Sequence, residues 1–132
     1  MATILFVDDD EFERVYAKEV LERRGHNVIF ASDGEAALET YRSVDVHIDV
    51  VVTDLRMPRL NGLRLIRELK EWDPRAEIIA ASGVNADQLL LAEDYGARTL
   101  LIKPWHPRDL LQAIEDCTRY RLATSGWDQV WG

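Results

Sequence analysis

At 132 residues, 47% of them apolar and 30% charged, the chain has the size and composition of one globular domain burying roughly two thirds of its unfolded surface, with no tract polar or repetitive enough for disorder or an internal repeat. Acidic residues outnumber basic ones 24 to 16, a formal charge of −8 that argues against a surface built to neutralise nucleic-acid phosphates, so no direct nucleic acid is expected. No apolar stretch approaches the ~20 residues that span a bilayer, and the start of the chain enters a strand-like run without a basic leader, so no membrane partner and a cytoplasmic location are expected.

Short β-branched runs alternate with segments of helical period. Residues 3–7 read as a strand that stops on Asp8-Asp9-Asp10. Phe12, Tyr16, Ala17, Val20 and Leu21 then share one helical face, and Gly25 after Arg23-Arg24 supplies a stop. The run at 27–31 is short and flanked by polar residues, as an edge strand would be. Asp33 can cap a second helix carrying Ala36, Ala37 and Leu38 and ending near Ser43, and Ser43 to His47 reads as a loop variation.

The strand at 48–53 stops on Asp54, and Asn61 can cap a third helix in which Leu63, Ile66 and Leu69 face the sheet until Asp73-Pro74 breaks it. The strand at 77–81 stops on Ser82, after which Asn85 can open a fourth helix running through Leu89, Leu90 and Ala92 to Gly96. The last strand, 98–102, runs into Lys103-Pro104, and Trp105 is expected to pack locally. Pro107 suits the first turn of a fifth helix, where Leu110, Leu111, Ile114 and Cys117 recur at helical spacing. The lone cysteine on that stripe reads as buried packing rather than redox chemistry. Residues 1–121 are taken as the domain and 122–132 as a C-terminal tail. Trp127 and Trp131 would share a face there, most economically covered by packing back onto the domain, while Ser125-Gly126 can interrupt the helix.

Strictly alternating strands and helices imply an α/β fold, a doubly wound parallel sheet of five strands with helices on both faces, because right-handed crossovers place each helix over the sheet. Ligands of such sheets bind outside the carboxyl ends of the strands. Four runs end there on Asp8-Asp9-Asp10, Asp54, Ser82 and Lys103. Converging carboxylates repel, so Asp8, Asp9 and Asp54 must hold a proton or recruit a cation, and Mg²⁺ suits such oxygen donors. A carboxylate in line with a phosphoryl donor is sufficient for phosphoryl transfer, with Asp54 as nucleophile, Lys103 on one phosphoryl oxygen and Ser82 on another. Asp10 reads as the cap of the first helix. His26, His47 and His106 share no metal-ligand spacing and read as packing or surface residues.

Residues 3 to about 119 resemble the receiver domain of two-component response regulators. The resemblance is carried by Phe6 to Asp10, Ala31 to Ala37, Val52 to Pro58, Asn61-Gly62, Ala81 to Gly83, Gly96-Ala97 and Lys103-Pro104. It implies a flavodoxin-like strand order of 2-1-3-4-5, a cis Lys103-Pro104 peptide, and a phosphoryl group taken onto Asp54 from a sensor histidine kinase or phosphotransfer protein. It also implies Mg²⁺ held by Asp9, Asp54 and the backbone carbonyl of Arg56, with Asp8 acting partly through water. A single-domain member would signal to a downstream protein or pass the phosphoryl group onward, as a monomer or weak homodimer and as a signalling domain rather than a turnover enzyme.

Two positions depart from or qualify that pattern. Leu100 stands where most receivers carry Tyr or Phe, which removes the usual aromatic relay and directs any conformational output to the loop after Ser82 and the fourth helix. Arg56 lies two residues after the nucleophile, where a long cation can alter phosphoryl lifetime or simply be solvated. Two other function classes fit parts of the sequence. A haloacid dehalogenase-type phosphatase would use Asp8 as nucleophile within Asp8-x-Asp10 and leave Asp54 without a role. A receiver-like scaffold would bind partners without being phosphorylated.

Overall fold

The computed structural model describes residues 1–43, 45–57, 60–83 and 86–131, with 86 and 120–131 as backbone only. Strands β1 (Thr3–Val7), β2 (Asn27–Ala31), β3 (Val50–Asp54), β4 (Ile78–Ser82) and β5 (Thr99–Ile102) alternate with helices α1 (Glu11–Glu22), α2 (Gly34–Arg42), α3 (Gly62–Trp72), α4 (Ala86–Tyr95) and α5 (Pro107–Trp131). All pairings are parallel and the order is β2-β1-β3-β4-β5, as expected, with β2 at an edge. The crossover reverses direction at β1 and β3, so the carboxyl ends of those two strands flank the crevice where such sheets bind ligands.

Alternation along the strands divides the core into two layers. Leu5, Val7, Val51, Ile78 and Ala80 face Ala37 and Leu38 of α2, Leu65, Ile66 and Leu69 of α3, and Leu89 and Ala92 of α4. Ile4, Phe6, Val50, Val52, Ile79 and Ala81 face Ala17 and Leu21 of α1 and Leu110, Ala113, Ile114 and Cys117 of α5. The thiol of Cys117 is fully buried, and burial pushes it up to about 12, consistent with packing rather than reactivity.

The helix boundaries follow the local signals. Asp10, Asp33 and Asn61 each accept a backbone N–H of the first turn, from Phe12, Ala36 and Arg64 respectively. Gly25 and Gly96 adopt positive φ after α1 and α4, the left-handed conformation that closes a helix without a Cβ clash. The expected cap Asn85 lies outside the described residues, as do the side chains of Trp127 and Trp131, although the α5 backbone continues through Ser125-Gly126 to Trp131.

The helical stripes needed adjustment. Phe12 is 87% exposed, and the buried positions of α1 are Ala17 and Leu21, in its later turns. Tyr16 stacks on buried Trp105 with ring centroids 5.2 Å apart, giving that indole its local packing partner. On α3 the buried apolar side chains are Leu65, Ile66 and Leu69, with Leu63 only partly covered, and on α4 Leu90 faces outward while Leu89 and Ala92 face the core.

Candidate functional site

The site is assembled at the carboxyl edge of the sheet from β1, β3, β4 and β5. Leu5 lies level with Val51, Val51 with Ile78, and Ser82 with Ile102, so the residues that end these strands are carried to neighbouring positions. Gly62 lets the start of α3 press against the Asp54 and Leu55 backbone, where a Cβ would collide with the Asp54 carbonyl, and this close approach closes one wall. The Gly62 N–H donates to the Leu55 carbonyl at 3.2 Å and fixes the loop between them.

Asp8 is 2% exposed. Its Oδ1 accepts the Asp10 N–H at 2.9 Å, and its Oδ2 accepts from Lys103 Nζ at 3.0 Å. Lys103 Nζ also lies 3.1 Å from Asp54 Oδ2, so the ammonium bridges the ends of β1 and β3 from the loop after β5. The Asp54 Oδ1 accepts the Arg56 N–H at 3.2 Å, which turns the other carboxylate oxygen toward the crevice. Asp9 completes an acidic trio whose ligand atoms lie within 4.8 Å of one another across Asp8, Asp9 and Asp54.

Burial pushes the Asp8 carboxyl up to about 6, reinforced by the neighbouring Glu13 carboxylate and opposed by the Asp10 N–H and Lys103. Burial also raises Asp54, against the Lys103 charge and the Arg56 N–H and with the help of the Asp8 charge. For Lys103, burial acts to lower the ammonium, but contacts with Glu13 and Asp8 and the charges of Asp8 and Asp54 outweigh it and hold the group above the usual lysine range. A crevice in which acids outnumber the base and burial penalises their charge has the character of a divalent-cation site. Three carboxylates offering hard oxygen ligands at this spacing fit Mg²⁺.

Ser82 is 2% exposed at the end of β4, and its carbonyl accepts the Lys103 N–H at 3.1 Å, tying the hydroxyl-bearing residue to the lysine loop. The Lys103-Pro104 peptide is cis, as the sequence resemblance implied. The Arg56 side chain is exposed, whereas its backbone N–H belongs to the site. A cleft of about 460 Å³ opens beside Asp9, lined by Leu55, Arg56, Met57, Asn61 and Gln88. Leu100 is partly buried against the cluster that includes Leu89 and Ala92 of α4.

Asp10 is exposed and engaged with the α1 backbone, so Asp8-x-Asp10 does not present two carboxylates to the crevice. The histidines have local roles. His26 Nδ1 accepts the Ala2 N–H at 3.0 Å, His106 Nδ1 accepts the Arg108 N–H at 3.1 Å, and His47 lies 3.2 Å from Asp49.

Two residues at the site had no place in the sequence reading. Arg14 Nη1 donates to the Asp8 carbonyl at 2.7 Å, bracing the end of β1 from α1. Glu13 Oε2 lies 2.7 Å from Lys103 Nζ. Glu13 occupies the third helical position after its cap, where an acid ordinarily reaches back to the cap N–H, so its sequence signal was that of a helix start. Only the placement of β5 beside β4 brings Lys103 to it.

The comparisons with known proteins agree with this geometry. The chain matches the response regulator receiver domain over residues 4–115. It is 33% identical over 113 residues to the chemotaxis protein CheY of Bacillus subtilis, covering 84% of this chain and 92% of that protein. It is 37% identical over 130 residues to the transcriptional regulatory protein CpxR of Escherichia coli K12, covering 98% of this chain but 53% of that protein. A response regulator receiver domain protein from Clostridium thermocellum superposes with a TM-score of 0.89 at 32% identity, covering 94% of this chain and 99% of that one. With its strand order, its acidic crevice and these relatives, the chain belongs to the response regulator receiver domain family of two-component systems.

Proposed function

We propose that this receiver accepts a phosphoryl group on Asp54 from a sensor histidine kinase or phosphotransfer protein and relays the signal by binding a downstream protein or by passing the phosphoryl group onward. The observation that carries this reading is the Lys103 ammonium bridging Asp8 and Asp54, 3.0 Å from one and 3.1 Å from the other. It places a fixed positive charge beside the one carboxylate that ends the central strand, where a transferred phosphoryl group would need it.

An Asp54 carboxylate oxygen attacks phosphorus in line with the donor bond, and the donor imidazole leaves with the bonding electron pair. Lys103 pairs with one phosphoryl oxygen and the Ser82 hydroxyl donates to another. Asp8, Asp9, Asp54 and the Arg56 carbonyl would hold Mg²⁺, which neutralises negative charge on the phosphoryl oxygens when bound. Because Leu100 has neither ring nor hydroxyl, the response to phosphorylation passes from Ser82 into the following loop and α4. Amide shifts in residues 83–98 on binding a phosphoryl analogue test that route, and unchanged shifts would rule it out.

Mass spectrometry after incubation with acetyl phosphate and Mg²⁺ tests the whole assignment. A labile adduct confined to Asp54 is expected. Turnover with Asp8 modified would instead indicate phosphatase chemistry, and no adduct with any donor would indicate a scaffold. The capping role of Asp10 and the family match weigh against the phosphatase.

A further inference from the structure

Lys103 Nζ faces three carboxylates, at 3.0 Å from Asp8, 3.1 Å from Asp54 and 2.7 Å from Glu13. They are not equivalent. Asp8 makes an aligned hydrogen bond to the ammonium, whereas Glu13 Oε2 is the nearest acid to it, at 2.7 Å, and pairs with it by charge. Asp8 and Asp54 are fixed near strand ends. Glu13 projects from the first turn of α1 on a longer side chain that is 31% exposed.

An ammonium has three N–H donors, and three acids already surround it. A phosphoryl oxygen needing Lys103 must therefore take the place of one of them. We propose that Glu13 is the displaceable counter-ion of Lys103, a positioning residue that occupies the lysine in the resting protein and competes with the phosphoryl group for it. This rests on the reading of Asp54 as acceptor and Lys103 as its phosphoryl partner. Glu13 thereby sets how readily the site takes an anionic group. It repels the incoming phosphoryl oxygens and must surrender the ammonium to them, and both effects disappear when its charge is removed.

The test is calorimetric titration of the full chain with beryllium fluoride, a phosphoryl mimic, in excess Mg²⁺. The variants Glu13→Gln and Glu13→Ala are compared with Glu11→Gln, which removes an acid from the same helical turn. Both Glu13 variants should bind the mimic on the order of three- to tenfold more tightly, as expected for one neighbouring charge in a partly solvated site. Glu11→Gln should match the unaltered protein. Affinity for Mg²⁺ alone should fall or stay constant in the Glu13 variants, because they lose negative charge, so a merely structural rearrangement that tightened both ligands would be recognised and would overturn the proposal. Unchanged or weaker mimic binding by both Glu13 variants, with normal binding by the unaltered protein, overturns the role of Glu13 alone. Failure of the unaltered protein to bind the mimic overturns the Asp54 reading and this proposal together.

Discussion

Among the described residues, two ionic clusters lie at opposite ends of the sheet, and they differ in charge balance. At the amino ends of β4 and β5, Glu77 pairs with Arg98 at 2.6 Å, one acid against one base. At the carboxyl ends, Asp8, Glu13 and Asp54 share the single ammonium of Lys103, and Asp9 stands nearby. Within the first pair the two charges balance. The second carries excess negative charge in a place where burial makes charge expensive, which suits the proposed role in holding a cation and a phosphoryl group better than it suits stability.

Breaking the acidic cluster at Asp54, the proposed acceptor, should give the largest effect. Asp54→Asn should abolish the phosphodonor adduct while leaving the fold intact, as read by mass spectrometry beside circular dichroism. Breaking the structural pair comes next. Glu77→Ala should cost about 2 kcal/mol in denaturant unfolding, less than the roughly 3–5 kcal/mol of a fully buried pair because Arg98 is partly exposed, and it should leave phosphorylation unaffected.

Asp8→Asn should act in the opposite direction, stabilising the metal-free protein at pH 7 by about 1–2 kcal/mol, or about 4 °C in melting temperature. The sign follows from the raised Asp8 carboxyl. A proton is held more tightly in the folded than in the unfolded chain, so this group's contribution to stability is fully present below the ordinary value of 3.8 and is lost as pH rises through about 6. The advantage of the asparagine variant should therefore shrink as pH falls from 7 toward 4, and a constant advantage would contradict the assignment. The smallest effect belongs to Arg56→Ala. Because that guanidinium is exposed and screened, phosphoryl lifetime should change by less than about threefold, measured by loss of the adduct over time.

Much of this architecture was legible in the chain because each local signal agreed with the global one. The first two strands matched their expected bounds residue for residue, and the caps at Asp10, Asp33 and Asn61 and the stops at Gly25 and Gly96 fell where their chemistry requires. The later three strands differ by one or two residues, at both ends for β3 and β4 and at the start for β5, since apolar runs do not mark where pairing starts and stops. Phe12 departs from the expected core face because helical period reports which residues share a face, not how far along the helix that face is covered.

The sequence by itself determined the alternation of strands and helices, the parallel sheet and the residue types waiting at four strand ends, because periodicity and capping are local properties of the chain. Tertiary structure alone decided which of those residues meet. The β2-β1-β3-β4-β5 order brings Lys103 across 95 positions of sequence to Asp8, and the start of α1 adds Glu13 to the same ammonium. Charge balance is a property of distance in space, and no reading along the chain supplies it.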